Sequence, residues 1–252
     1  MKIGLLQTNI CWNDVKKNIV QIESFLEDSE PADVYVLPEM WATGFDMNPA
    51  EETRSASERA LVWMRETAAG RNCCLSGSLA VEEGGIFRNR HYWVRADGSV
   101  AWYDKRHLFS PGFENKHYAA GSERVVVEHL GVRFLLQTCY DLRFPVFSRN
   151  RGDYDVALYV ANWPEVRQHA WEVLLQARAI ENQCYVCGVN RTGFGDGVTY
   201  AGGSVLVSPY GQELVKLSHH AGLVVGELDL LALARFRQKF PVLQDADHFS
   251  LA

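Results

Sequence analysis

RFLLQTCYDLRFP, residues 133–145, is the stretch on which the reading of this chain turns. Three consecutive apolar residues, Phe134, Leu135 and Leu136, fill its first half, and the run then breaks at Cys139 into a polar segment that stops at Pro145. That pattern predicts a buried strand delivering Cys139 to its end, followed by a turn and a short helix beyond the proline. The geometry resembles the nucleophile elbow of hydrolases, although G-x-S-x-G is absent. A nucleophile held this way projects above a sheet, and the next backbone N–H, that of Tyr140, can donate to an oxyanion in the same space.

Outward from this point, strands and helices alternate. KIGLLQTN (2–9) and VYVLP (34–38) are short apolar runs, and between them Val15, Ile19, Ile22 and Leu26 recur at helical spacing behind Asn13 or Asp14 as a cap. A second helix is expected over 54–70, stopped at Gly70. Strands follow at 73–81 and 89–104, the latter folded at Asp97-Gly98 as a hairpin. After 124–138 come a strand at 155–162, a helix at 165–182, a strand at 183–190 and three further strands before a helix from Leu230. The glycine-rich RTGFGDGVTY (191–200) has neither G-x-G-x-x-G spacing nor a helix after it, and reads as a loop. No internal repeat or linker divides the chain, so residues 1–252 read as one α/β domain with mixed sheets covered on both faces.

Composition narrows the function. At 252 residues and 47% hydrophobic, the chain can bury a core without disulfide or metal support. A net charge of -6 with no basic run argues against nucleic acid as a partner. The longest apolar stretch, VVVEHLGVRFLL (125–136), is interrupted by Glu128, His129 and Arg133, well short of the about 20 residues that span a bilayer. Polar residues from Gln7 onward occupy the place where a signal peptide needs its apolar core, so a cytoplasmic protein is expected. Six scattered cysteines fit a reducing compartment. Cys184 and Cys187 spell C-x-x-C within a strand-like run, with no second pair to complete a metal site.

Two more segments place a titratable residue at an element end: Glu39 in VLPEM (36–40) and Lys105 in AWYDKRHLF (101–109). Each alone is as consistent with a solvated charge, and Cys139 alone with a buried hydrophobe. Together, LPEM, YDKRHLF and CYDLRFP resemble the Glu-Lys-Cys signatures of the nitrilase superfamily of carbon–nitrogen hydrolases. The likeness extends to YVANWP (159–164) and QARAIENQCYV (176–186), and the tail FPVLQDADHF (240–249) is similar to the omega-amidase branch.

The resemblance implies a four-layer αββα sandwich and a cysteine-dependent amidase without metal or organic cofactor. A thiol of pKa about 8.5 is only a few per cent thiolate at neutral pH, so it needs a base and a neighbouring cation. Glu39 is implied as that base and Lys105 as the cation, with Lys105 and the Tyr140 N–H holding the oxyanion of a thioester-forming attack. A second glutamate of the family falls on Glu114, expected to hold Lys105 and orient the amide nitrogen. The implied substrates are small amides, the terminal amides of short 2-oxo dicarboxylic acids such as 2-oxoglutaramate and 2-oxosuccinamate. Arg143 is then a candidate for the anionic end, or a structural partner of Asp141. Trp163, Phe45 and Tyr118 are candidate pocket walls, each also readable as packing. Members commonly form homodimers, for which the helix at 165–182 is a candidate surface. Amidases for deaminated glutathione, N-carbamoyl amidases and nitrilases share the same triad; a scaffold of the same fold without catalysis is the non-enzymatic alternative.

Overall fold

Within nearly every central strand the side chains divide by parity, and that division builds the molecule. In the computed structural model, described here for residues 1–247, 249 and 250, β1 (Lys2–Gln7), β2 (Val34–Val36), β3 (Cys74–Glu83), β4 (Ile86–Val94) and β5 (Val100–Asp104) belong to one sheet. β6 (Val126–His129), β7 (Val132–Thr138), β8 (Val156–Ala161) and β9 (Tyr185–Asn190) belong to a second. A separate hairpin, β10 (Thr192–Gly195) and β11 (Val198–Ala201), precedes β12 (Val205–Val207), β13 (Glu213–Lys216) and β14 (Gly222–Glu227). The sheet orders are β14-β1-β2-β3-β4-β5 and β13-β12-β9-β8-β7-β6.

Each sheet has three parallel strands at its centre, β1-β2-β3 and β7-β8-β9, flanked by antiparallel neighbours. Odd and even residues then separate two cores. Ile3, Leu5, Val34 and Val36 meet Phe134, Leu136, Leu158 and Val160 between the sheets. Leu6, Tyr35 and Leu75 face outward onto α1 (Val15–Glu27) and α2 (Glu51–Arg71), while Leu135, Ala157 and Val186 face α5 (Gln168–Asn182). The result is the four-layer αββα sandwich. The remaining helices are the single-turn α3 (Glu114–His117) and α4 (Pro145–Ser148), and α6 (Leu230–Lys239). Among the described residues, no helix is long and apolar enough to cross a membrane.

Three details depart from the sequence reading. Helix α2 starts at Glu51 and runs through Gly70, ending where Asn72 takes a left-handed φ of 50°; asparagine serves there as the capping residue that glycine was expected to be. Residues 191–200 are no loop: β10 and β11 pair antiparallel across Asp196-Gly197, with φ of 48° and 73°. Two positive φ values over two residues are the demand of a tight hairpin turn, and Asp-Gly is the dipeptide that meets it. Cys184 and Cys187 reach opposite faces, into the outer and inner core respectively, so the C-x-x-C spacing brings no two thiols together. Of the tail motif, His248 lies outside the described residues.

Candidate active site

The site forms where several strands end on the same side of the sandwich, the position at which parallel sheets generally carry function. Glu39 follows β2, Lys105 follows β5, Cys139 follows β7 and Asn162 follows β8. Cys139 has φ 46°, a left-handed conformation uncommon outside glycine and asparagine, so the sharp elbow anticipated from sequence is present. Buried Asp141 fixes it from behind. Its carboxylate accepts from Thr138 N at 2.9 Å, from the Tyr103 hydroxyl at 2.8 Å, and from His107 N and Nδ1 at 3.0 and 2.7 Å. The cysteine turn and the lysine-bearing segment are thereby tied to a single carboxylate.

Glu39, Lys105 and Glu114 expose no surface at all. Lys105 Nζ donates to Glu39 Oε1 at 2.8 Å and to Glu114 Oε2 at 2.8 Å. Asn89 Nδ2 bridges the two carboxylates, 2.7 Å from Glu39 Oε1 and 3.0 Å from Glu114 Oε1. Backbone groups supply the rest: Asn162 N donates to Glu39 Oε2 at 2.8 Å and Phe109 N to Glu114 Oε2 at 2.6 Å. Two acids and one ammonium leave an excess negative charge in a dry space, and its effects are legible. Burial, opposed by Lys105, pushes the Glu114 carboxyl up. Burial lowers the Lys105 pKa, but Glu114 and Glu39 outweigh it and hold the ammonium charged. Burial first, and then the Glu39 charge, drive the Cys139 thiol well above its ordinary range against the pull of Lys105. The thiol is therefore held in its protonated form.

Cys139, 8% exposed, opens onto a cavity of about 180 Å³ walled largely by aromatic side chains. Phe45, Tyr140, Arg143 and Trp163 line it. Tyr140 is the second residue of a short 3-10 turn (Cys139–Arg143), whose first N–H groups have no carbonyl partner within the turn. Arg143 does not pair with Asp141, whose oxygens are taken; its guanidinium lies on the Trp163 ring, 5.1 Å from the centroid. Tyr118 is corrected. It packs with Met40 and Ala80, behind Phe45 and Met47, and its hydroxyl donates to Asp46 O at 2.6 Å. Tyr118 follows the one-turn helix α3 as its extended C-cap and turns back into the protein, which sequence spacing over four residues could not reveal.

Sequence reasoning missed Asn89, Arg167, Asp196 and Tyr200. The last three line the cavity, and the Asp-Gly turn signal could have found two of them by placing the β10–β11 hairpin. Among the described residues, no cluster of His, Cys, Asp or Glu is arranged to hold a metal ion.

Comparison with known proteins places the chain in a family. The Carbon-nitrogen hydrolase family profile matches residues 2–238. The Omega-amidase YafV of Escherichia coli is 46% identical over all of this chain and 98% of its own length. The 2-oxoglutaramate amidase of Bacillus subtilis is 36% identical, covering 96% of each chain. A CN-hydrolase superfamily protein of Xanthomonas campestris, solved with an arsenic adduct in its active site, superposes with a TM-score of 0.93 at 38% identity over 100% of this chain and 99% of its own. An amidase from Nesterenkonia, solved after Michael addition of acrylamide at its active-site cysteine, gives 0.84 at 25% identity over 96% and 98%.

Proposed function

The chain belongs to the carbon–nitrogen hydrolase family and is a hydrolase of carbon–nitrogen bonds other than peptide bonds; on that premise we propose that it is an omega-amidase working through Cys139. Its substrates are the terminal amides of short 2-oxo dicarboxylic acids, 2-oxoglutaramate and 2-oxosuccinamate; in support, one relative is named an omega-amidase and another a 2-oxoglutaramate amidase. The observation that carries the reading is the convergence of Cys139 with the buried Glu39–Lys105–Glu114 cluster at the floor of an aromatic cavity.

Glu39 accepts the proton of Cys139 Sγ as the sulfur attacks the amide carbon. Lys105 Nζ and the Tyr140 N–H hold the oxyanion. Glu39 passes the proton to the departing nitrogen, ammonia leaves, and an acyl thioester remains on Cys139. A water deprotonated by Glu39 attacks the thioester, and collapse returns the proton to sulfur and frees the acid. Glu114 keeps Lys105 in place, and Phe45 and Trp163 form the walls. Arg143 faces the substrate's anionic end. No step draws on a metal or an organic cofactor.

We also propose a cytoplasmic homodimer joined through α5. Val173 and Ile180 lie seven residues apart on one stripe of that helix, both about half exposed; Ile180 lies against Gly211, whose chain neighbour Tyr210 is exposed and packs 4.2 Å from Phe236 of α6. Light scattering on the eluting protein tests this, and a monomer at micromolar concentration contradicts it.

Ammonia release from 2-oxoglutaramate, 2-oxosuccinamate, glutamine, a nitrile and an N-carbamoyl amino acid tests the activity, with Cys139→Ala as control. Cys139-dependent preference for the 2-oxo amides is expected. Preference for another substrate moves the protein to another branch, and no turnover of any contradicts the amidase reading.

A further inference from the structure

Arg167 stands at the cavity with no assigned part in the chemistry. It comes from the 3-10 turn (Glu165–Arg167) between β8 and α5, and lies over the Phe109 ring at 5.0 Å, as Arg143 lies over Trp163 at 5.1 Å. Among the described residues, neither guanidinium has a carboxylate within ion-pair distance, whereas other arginines of the chain, including Arg90, Arg124, Arg133, Arg178 and Arg237, do. A guanidinium held over an aromatic face is attracted by the ring without using up its N–H donors, which stay available for a ligand.

The two arginines share one support. The Trp163 ring carries Arg143 on its face, and its Nε1 donates to the Arg167 carbonyl at 2.8 Å, fixing the turn from which Arg167 projects. Phe109, beneath Arg167, packs edge-on against Tyr140 at 5.1 Å, next to Cys139. The one acid lining the cavity, Asp196, belongs to the tip of the β10–β11 hairpin and is beyond ion-pair distance of both guanidiniums. The rest of the lining is mainly aromatic or apolar, including Trp12, Met47, Val198 and Tyr200. A cavity with one thiol, apolar walls and two unpaired guanidiniums suits a short amide whose far end is a carboxylate, the planar anion a guanidinium fork binds in two-pronged fashion.

We infer that Arg167 is a specificity-determining residue, forming with Arg143 a two-guanidinium seat for the carboxylate remote from the scissile amide. The inference rests on the amidase reading, and it adds a second cation from a different loop. Splitting the seat between the nucleophile turn and the turn before α5 fixes the distance between carboxylate and amide, because both turns are braced through Trp163.

The test compares kcat/KM for 2-oxoglutaramate and for pentanamide, a neutral amide of equal chain length, in the wild type, Arg167→Met, Arg143→Met and the double variant. The seat predicts a strong wild-type preference for the anionic amide that drops about tenfold or more in Arg167→Met, chiefly through KM, and further in the double variant. Arg167→Lys, which keeps the charge and loses the fork, restores part of it. An unchanged ratio in Arg167→Met, including an equal fall on both substrates, overturns the inference while leaving the amidase reading intact. A wild type that turns over pentanamide as well as 2-oxoglutaramate overturns the omega-amidase reading itself.

Discussion

Lys105 Nζ lies 2.8 Å from Glu39 Oε1, and neither side chain exposes any surface. A buried ion pair of this kind is held for what it does, because the desolvation of both charges offsets most of their attraction. Removing the cation leaves Glu39 and Glu114 facing each other without compensation. Lys105→Met should therefore lower stability by about 3–5 kcal/mol, read as a fall in the urea midpoint, and abolish ammonia release. Adding Glu114→Leu should recover part of the midpoint and none of the activity. A fully stable, active Lys105→Met enzyme would contradict the buried cluster as described.

A second prediction concerns acid. His91 is wholly buried, with Nδ1 3.1 Å from the Gln137 carbonyl and Nε2 2.8 Å from Ser76 Oγ, and burial pushes its pKa down to about 4. Because a carbonyl only accepts, Nδ1 carries the proton and the ring is neutral. The unfolded chain binds a proton near pH 6.5 that the folded chain refuses until about 4. This contribution to stability is complete above pH 6.5 and is lost as pH falls toward 4, about 3 kcal/mol in all. The slope of unfolding free energy against pH over that interval should be shallower in His91→Gln. Equal slopes in the two proteins would show that His91 does not titrate as its burial requires.

How far the sequence carried this account depends on the kind of residue. Glu39, Lys105 and Cys139 were legible because each ends an apolar strand, and strand ends on one side of a sandwich meet. Glu114 was legible only through family resemblance, since a glutamate in a Pro- and Gly-rich loop has no periodicity to place it. Asn89 was not legible at all: it sits in β4 like any polar strand residue, and only the three-dimensional approach of β2 and α3 turns its amide into the bridge between two acids. The β10–β11 hairpin was misread because its glycines were weighed as a phosphate cradle, while the Asp196-Gly197 pair that shapes it was passed over.

Thiol chemistry gives a third prediction. Burial raises Cys73 to about 11 and Cys74 and Cys184 to about 12, and these three belong to packed core; Cys139 alone among the buried thiols opens onto the cavity. Iodoacetamide, itself a small amide, should label Cys139 ahead of the other buried cysteines at pH 7.5. Because the Cys139 thiol starts protonated, labelling should slow about a hundredfold or more in Glu39→Gln. Peptide mapping of the alkylated protein reads both results. Labelling that ignores the Glu39 change would mean that another group takes the proton.

In the proposed mechanism, amide nitrogen leaves as an acyl group is transferred to Cys139. Rapid acid quenching of the enzyme during turnover of 2-oxoglutaramate, followed by intact-mass and peptide measurement, tests it directly. One acyl adduct per chain is expected, mapped to Cys139, removed by hydroxylamine as a thioester is, and absent from Cys139→Ala together with ammonia release. Undiminished ammonia release by Cys139→Ala, with no adduct on the wild-type thiol at any quench time, would contradict it.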